Sequence, residues 1–128
     1  MSLIKKNIYS IADELKQNNS QQNGEIRLVA VSKGQGQEKI LDALDAGHNI
    51  FGENYLQEAI DKQKSLIEHK IEWHFIGPIQ SNKCKLIAEN FSWVHSVDRI
   101  KVANKLNNSL KEKTSLNVCM QVNISNED

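Results

Sequence analysis

Ile26-Arg-Leu-Val-Ala-Val-Ser-Lys-Gly-Gln-Gly36 is an apolar, β-branched run that ends on a lysine and two glycines. Such a run reads as a strand closed by a turn, with the strand over residues 26–33. Residues 37–46 follow with Ile40, Leu41 and Leu44 at the spacing of one helix face. Gly47 closes that helix, and the same unit then recurs along the chain. His48-Asn-Ile-Phe-Gly52 is a second strand, followed by a helix over residues 53–68. Glu72-Trp-His-Phe-Ile-Gly77 is a third, followed by Pro78 and a helix over 81–89. Ser92-Trp-Val-His-Ser-Val97 is a fourth, with Asp98 expected to cap a helix running to about Lys111. Leu116-Asn-Val-Cys-Met-Gln-Val-Asn-Ile124 is a fifth. Upstream, residues 3–17 carry Leu3, Ile4, Ile8, Ile11, Ala12 and Leu15 near helical spacing, and residues 18–24 are polar turn material.

Strand and helix alternate throughout, with no hairpin signal between apolar runs. That predicts an α/β fold of parallel strands joined by right-handed crossovers. Two architectures share the pattern, an open doubly wound sheet and a (β/α)8 TIM-type barrel. No GxGxxG or GxxxxGK[ST] follows a strand, which counts against the nucleotide-binding versions of the open sheet. A complete barrel takes about 250 residues. If the chain is barrel sequence, its 128 residues hold roughly the first half, a partial barrel of about five parallel strands with helices between them.

Sixteen basic residues balance sixteen acidic ones. Counterion release needs a concentrated basic surface, so no nucleic-acid partner is expected. The lysines within 61–64, 83–85 and 101–105 read as solvated helix faces. No apolar run approaches the roughly 18 residues of a membrane span, and the N-terminus lacks the apolar core of a signal peptide. No membrane partner and a cytoplasmic location are therefore expected. The two cysteines, Cys84 and Cys119, form no CxxC or Cys/His cluster, so no metal site is expected.

In parallel α/β folds, ligands bind at the C-terminal ends of the strands. Lys33 stands at such an end, and alternation gives it the direction of Val29 and Val31. If that direction is the barrel interior, desolvation favours the neutral amine that Schiff-base chemistry requires. The alternative is a strand-end lysine in water. Asn54 lies at a strand-to-helix junction, where its amide could orient a ligand or where Asn54 or Glu53 could cap the helix. His74 could contact a ligand or move a proton, or be a hydrogen-bonded core residue. Gln80, Ser81 and Asn82 could receive an anion, or Ser81 could cap the next helix. His95 and Ser96 end the fourth strand, and Gln121, Asn123 and Ser125 end the fifth, all on the same rim.

Taken in order, Leu28-Val-Ala-Val-Ser-Lys33, Phe51-Gly-Glu-Asn-Tyr55, Trp73-His-Phe-Ile-Gly-Pro-Ile-Gln-Ser-Asn-Lys83, His95-Ser-Val-Asp98 and Gln121-Val-Asn-Ile-Ser125 closely resemble the pyridoxal phosphate homeostasis family of the YggS/PROSC type. That family is related to the N-terminal barrel domain of alanine racemase. The resemblance covers the chain after about Glu25. It implies a barrel of the alanine racemase N-terminal-domain type, with residues 1–128 forming one C-terminally incomplete domain. It also implies pyridoxal 5′-phosphate (PLP) as cofactor, held as a Schiff base on Lys33, with Asn54 and His74 matching the family's motifs. With the rim residues Ser96 and Asn123 these make up the expected cofactor-binding set.

The function implied is that of a PLP carrier in vitamin B6 and amino-acid homeostasis, without established catalytic turnover. PLP-dependent apo-enzymes are candidate recipients. Racemase-like catalysis is the enzymatic alternative, but it needs two bases on opposite faces of the substrate carbon. A third reading is a fragment that does not retain PLP, because the family's phosphate-gripping elements lie in sequence beyond residue 128. Self-association is expected of a half-barrel, through uncovered apolar wall and strand edges. One local departure stands out: the family continues Val-Ser-Lys with Thr-Lys-Pro, whereas this chain has Gly34-Gln-Gly36. A second lysine is thereby lost at Gln35, and two glycines add conformational freedom.

Overall fold

Each apolar run of the sequence becomes one strand of a single parallel sheet. The computed structural model describes residues 1–19, 24–110 and 115–125. The elements run α1 (Leu3–Asn18), β1 (Ala30–Val31), α2 (Gln37–Asp45), β2 (Ile50–Glu53), α3 (Leu56–Ser65) and β3 (Glu72–Phe75). A 3-10 turn (Ser81–Lys83), α4 (Cys84–Asn90), β4 (Trp93–Val97), α5 (Ile100–Asn108) and β5 (Asn117–Met120) complete them. Residues 20–23 of the expected turn and Lys111 at the expected end of α5 lie outside the described residues.

The sheet order is β1-β2-β3-β4-β5, with every neighbouring pair parallel. An order without reversal has no switch point. Right-handed crossovers then place every helix on the same face. The doubly wound alternative is thereby removed, and the observed arrangement is that of a partial barrel. Burial alternates accordingly. Phe51, Trp73, Phe75 and Val94 enter the buried core with Ile40 and Ala43 of α2, Ala59 of α3, Ile87 and Ala88 of α4, and Val102 and Leu106 of α5. The other set of strand positions faces the opposite side, the interior of the barrel. Register puts Val31, Gly52, His74 and Trp93 there in one row.

Several expected boundaries shift. Paired strand in β1 covers two residues rather than the expected run over 26–33, although Ser32 N–H extends the ladder by donating to the Gly52 carbonyl at 3.0 Å. Helix α3 begins at Leu56, because Glu53 is still paired in β2. Tyr55 occupies the N-cap with no side-chain capping bond, so neither Glu53 nor Asn54 caps. Asp98 does not cap α5. Arg99 holds that position in extended conformation, and the Asp98 carboxylate pairs with Arg99 at 3.2 Å. Ser81 lies inside the 3-10 turn, and no side chain caps it. In α1, Ser2 caps by accepting from Lys5 N–H, and Ile4 and Ile8 pack against the core. Leu3 and Ile11 on the same apolar face remain exposed, since no element lies over them among the described residues.

Candidate functional site

Lys33 follows Ser32 directly, in the turn beyond β1, and its side chain is exposed. Of the two readings of Lys33, a desolvated amine in an apolar wall and a strand-end lysine in water, this exposure fits the second. Its ammonium has no hydrogen-bond or ion-pair partner among the described residues. The Gly34-Gln-Gly36 turn is well tied despite its glycines. Gly34 adopts φ +68°, a left-handed conformation suited to glycine. Its N–H donates to Oε1 of Glu58 at 2.7 Å, and Gln35 N–H donates to the Ser32 carbonyl at 3.1 Å.

Behind this turn lies a group that the sequence reading missed. Lys62, expected on a solvated helix face, is buried. Its Nζ donates to the Ser32 carbonyl at 2.7 Å, to Oε1 of Glu53 at 2.7 Å and to Oε1 of Glu58 at 2.6 Å. Ser32 Oγ also donates to Oε1 of Glu53 at 2.7 Å. Burial pushes the Lys62 ammonium toward neutrality, but the hydrogen bonds it donates to Glu53 and Glu58 outweigh that and hold its pKa above the ordinary value. The usable signal was the i,i+4 spacing of Glu58 and Lys62 beside a glutamate at a strand end.

On the interior face, Arg27, Glu72, His74 and His95 form a continuous polar chain. Arg27 Nη2 donates to both oxygens of Glu72 at 2.7 Å, and Oε1 of Glu72 lies 2.7 Å from Nε2 of His74. Nδ1 of His74 is 2.9 Å from Nε2 of His95, and the His74 ring stacks on Trp93 at 5.4 Å and 7°. Burial pushes the Glu72 carboxyl up, but the bonds from His74 and Arg27 prevail and lower its pKa. An ionised carboxylate only accepts, so Nε2 of His74 is a donor. With His74 neutral, its Nδ1 accepts from Nε2–H of His95. Burial, followed by the neighbouring His74, pushes the His95 pKa down. Both ring nitrogens of His74 are thus engaged, and any proton it moves toward the rim passes through His95.

Asn54 follows β2 and packs against Gly77, and its Oδ1 is buried with no partner among the described residues. Ser96 carries φ 61°, where the β4–β5 register shifts between Val94 and Val97. Such a bulge re-aims a strand end. Ser96 lines a rim cavity of about 270 Å³ with Pro78, Gln80, Asp98, Arg99 and Gln121. Asn123 lies beyond β5 and is exposed. The structure therefore joins His74 to His95 and Ser96 to Gln121, while Lys33, Asn54 and Asn123 stand at separate strand ends.

Acid is expected to weaken the fold. Glu58 is held below the ordinary glutamate value of 4.5, chiefly by the Lys62 hydrogen bond, and Glu72 is lowered as well. A depressed carboxyl pKa contributes stability that is complete above 4.5 and lost as pH falls through the lower folded value. Urea midpoints measured from pH 7 down to pH 3 are expected to decline below this point, less so in Glu58→Gln.

A sequentially ordered parallel sheet with helices on one face and a lysine at the rim of β1 defines a partial (β/α) barrel module. The family model for the alanine racemase N-terminal domain matches residues 4–127, and the chain belongs to that family. It is 46% identical to the pyridoxal phosphate homeostasis protein of Vibrio alginolyticus, over 99% of this chain and 58% of that protein. It is 47% identical to the protein of the same description from Pseudomonas aeruginosa, over 99% of this chain and 57% of that one. The chain thus spans less than two thirds of these relatives' length. Among solved structures, PipY of Synechococcus elongatus PCC7942 with PLP bound aligns at TM-score 0.84 and 35% identity, over 97% of this chain and 56% of PipY.

Proposed function

We propose that this chain serves PLP binding in PLP and amino-acid homeostasis, and that Lys33 holds the cofactor as a Schiff base. The carrying observation is the exposed amine of Lys33, without a partner among the described residues, at the C-terminal end of β1 in a chain whose fold matches a PLP-bound structure. PLP supplies an electrophilic aldehyde that a free primary amine captures. The residues present fit that group. Lys33 offers the amine, and the buried Oδ1 of Asn54, without a partner among the described residues, offers an acceptor for a ring hydroxyl. His74 acts through His95, and Ser96 and Asn123 complete the rim. Delivery of PLP to apo-enzymes and a cytoplasmic location belong to the same reading, with neither nucleic acid nor membrane as partner. No described helix is long and apolar enough to cross a membrane.

PLP added to the chain, trapped with borohydride and mapped by mass spectrometry, is expected to give a dominant pyridoxyl adduct on Lys33, lost in Lys33→Ala. Labelling scattered evenly over the surface lysines would refute the assignment.

Self-association is proposed as well. Strands β1 and β5 each have one strand neighbour among the described residues, and Val31, Val118, Met120, Val122 and Ile124 are exposed. Apolar surface beside open strand edges favours pairing between copies. Sedimentation velocity is expected to show species heavier than the 14.5 kDa chain, and a single monomeric boundary across concentrations contradicts this.

A further inference from the structure

We propose that Lys62 and Glu58 are positioning residues for Lys33, holding its backbone from both sides so that only the reactive side chain is free. The proposal rests on the reading of Lys33 as the PLP lysine. Lys33 is bracketed by two backbone groups, each gripped by a side chain of α3. Before it, the Ser32 carbonyl accepts from Lys62 Nζ at 2.7 Å. After it, the Gly34 N–H donates to Glu58 Oε1 at 2.7 Å. The two gripping side chains stand one helical turn apart and pair at 2.6 Å, so they act as one clamp. Glu53, fully buried, anchors the clamp by accepting from both Lys62 and Ser32 Oγ.

Stability alone is a poor account of this arrangement. A buried ion pair is often no better than apolar residues of the same volume. Nor does this pair satisfy itself, since Oε2 of Glu53 is buried without a partner among the described residues. Its bonds are spent on the two backbone groups that flank one exposed lysine. Locking the turn removes conformational freedom that the amine would otherwise lose on reacting, the usual benefit of a supporting shell around a reactive group.

The test uses the whole chain and PLP. The rate of Lys33 adduct formation under borohydride trapping is measured against that of the exposed Lys101 in the same sample. Glu58→Ala removes the grip on Gly34 and leaves the Lys62–Glu53 pair in place. It is expected to slow Lys33 labelling about tenfold relative to Lys101, the scale of one hydrogen bond to a charged acceptor. Glu58→Gln keeps an acceptor oxygen and is expected to restore most of the rate. Should Glu58→Ala fail to fold, Glu58→Asp, which keeps the charge but shortens the reach, serves in its place with the same expected direction. An unchanged Lys33-to-Lys101 ratio in the folded variant overturns the positioning role while leaving Lys33 as the PLP lysine. Absence of selective Lys33 labelling in the unaltered chain overturns both.

Discussion

Lys62→Ala is expected to destabilise the fold by about 3–5 kcal/mol, the scale for stranding one partner of a buried pair. The Lys62 side chain is 7% exposed and that of Glu53 fully buried. Removing the ammonium leaves the Glu53 carboxylate with only the Ser32 hydroxyl, its Oε2 already being unpartnered among the described residues. It also leaves the Ser32 carbonyl without its side-chain donor. Natural domains hold a margin of only about 5–15 kcal/mol, so the variant should sit near the edge of folding. In urea the midpoint is expected to fall sharply, while Lys64→Ala on the exposed side of α3 leaves it almost unchanged. The paired replacement Lys62→Met with Glu53→Leu is expected to recover much of the loss, since it removes the stranded charge along with its partner. A loss below about 1 kcal/mol in Lys62→Ala, the range of exposed pairs, would mean that water reaches the site. The exposed Lys5–Asp45 pair offers the contrast. It is 2.5 Å long, but Asp45 is 75% exposed, and breaking it should be nearly silent.

Gly77→Ala is expected to cost about 1–3 kcal/mol through overpacking and to disturb Asn54 directly. A Cβ at Gly77 would lie 2.7 Å from Cβ of Asn54 and 3.0 Å from both its Cα and its carbonyl oxygen. Two of these three atoms are backbone, so no rotamer change relieves the contact. The segments after β2 and β3 must separate there, and the Ile76 N–H bond to the Glu53 carbonyl, 2.9 Å long, lies next to the strain. Two readouts are expected to move together: a lower urea midpoint and weaker PLP retention by the trapped-adduct assay. A lower midpoint with unchanged retention would remove Asn54 from the proposed cofactor set. At Gly34 the problem is of another kind. A Cβ meets open space, but φ +68° strains any other residue.

The repeated units were legible because each strand is an apolar run and each helix has one apolar face, both local patterns. Sheet order was not, since nothing in a local run says which neighbour it will pair with. The capping expectations at Asp98 and Ser81 failed for a related reason. A capping residue type marks a region, whereas the helix starts where the preceding chain leaves its neighbours. Among the site residues, His74 was read as either a ligand contact or a bonded core histidine. The structure buries it on the interior face, within a polar chain whose other members lie 2, 21 and 47 residues away in sequence. Those separations follow from Glu72, His95 and Arg27; strand alternation joins Glu72 to His74, but no spacing rule reaches His95 or Arg27.

The same division applies to Lys33. The sequence alone placed a lysine at the end of the first strand and, through its flanking motifs, in a resemblance to the pyridoxal phosphate homeostasis family. Local composition is enough for that, because strand and turn are set by neighbours along the chain. Only the tertiary structure showed that the lysine stands in water beyond the strand, and that a second lysine is buried behind it. A lysine on a helix looks solvated in sequence. Whether it is buried depends on what the sheet brings against it, and here parallel pairing of β1 with β2 delivers Ser32 and Glu53 together to one face of α3.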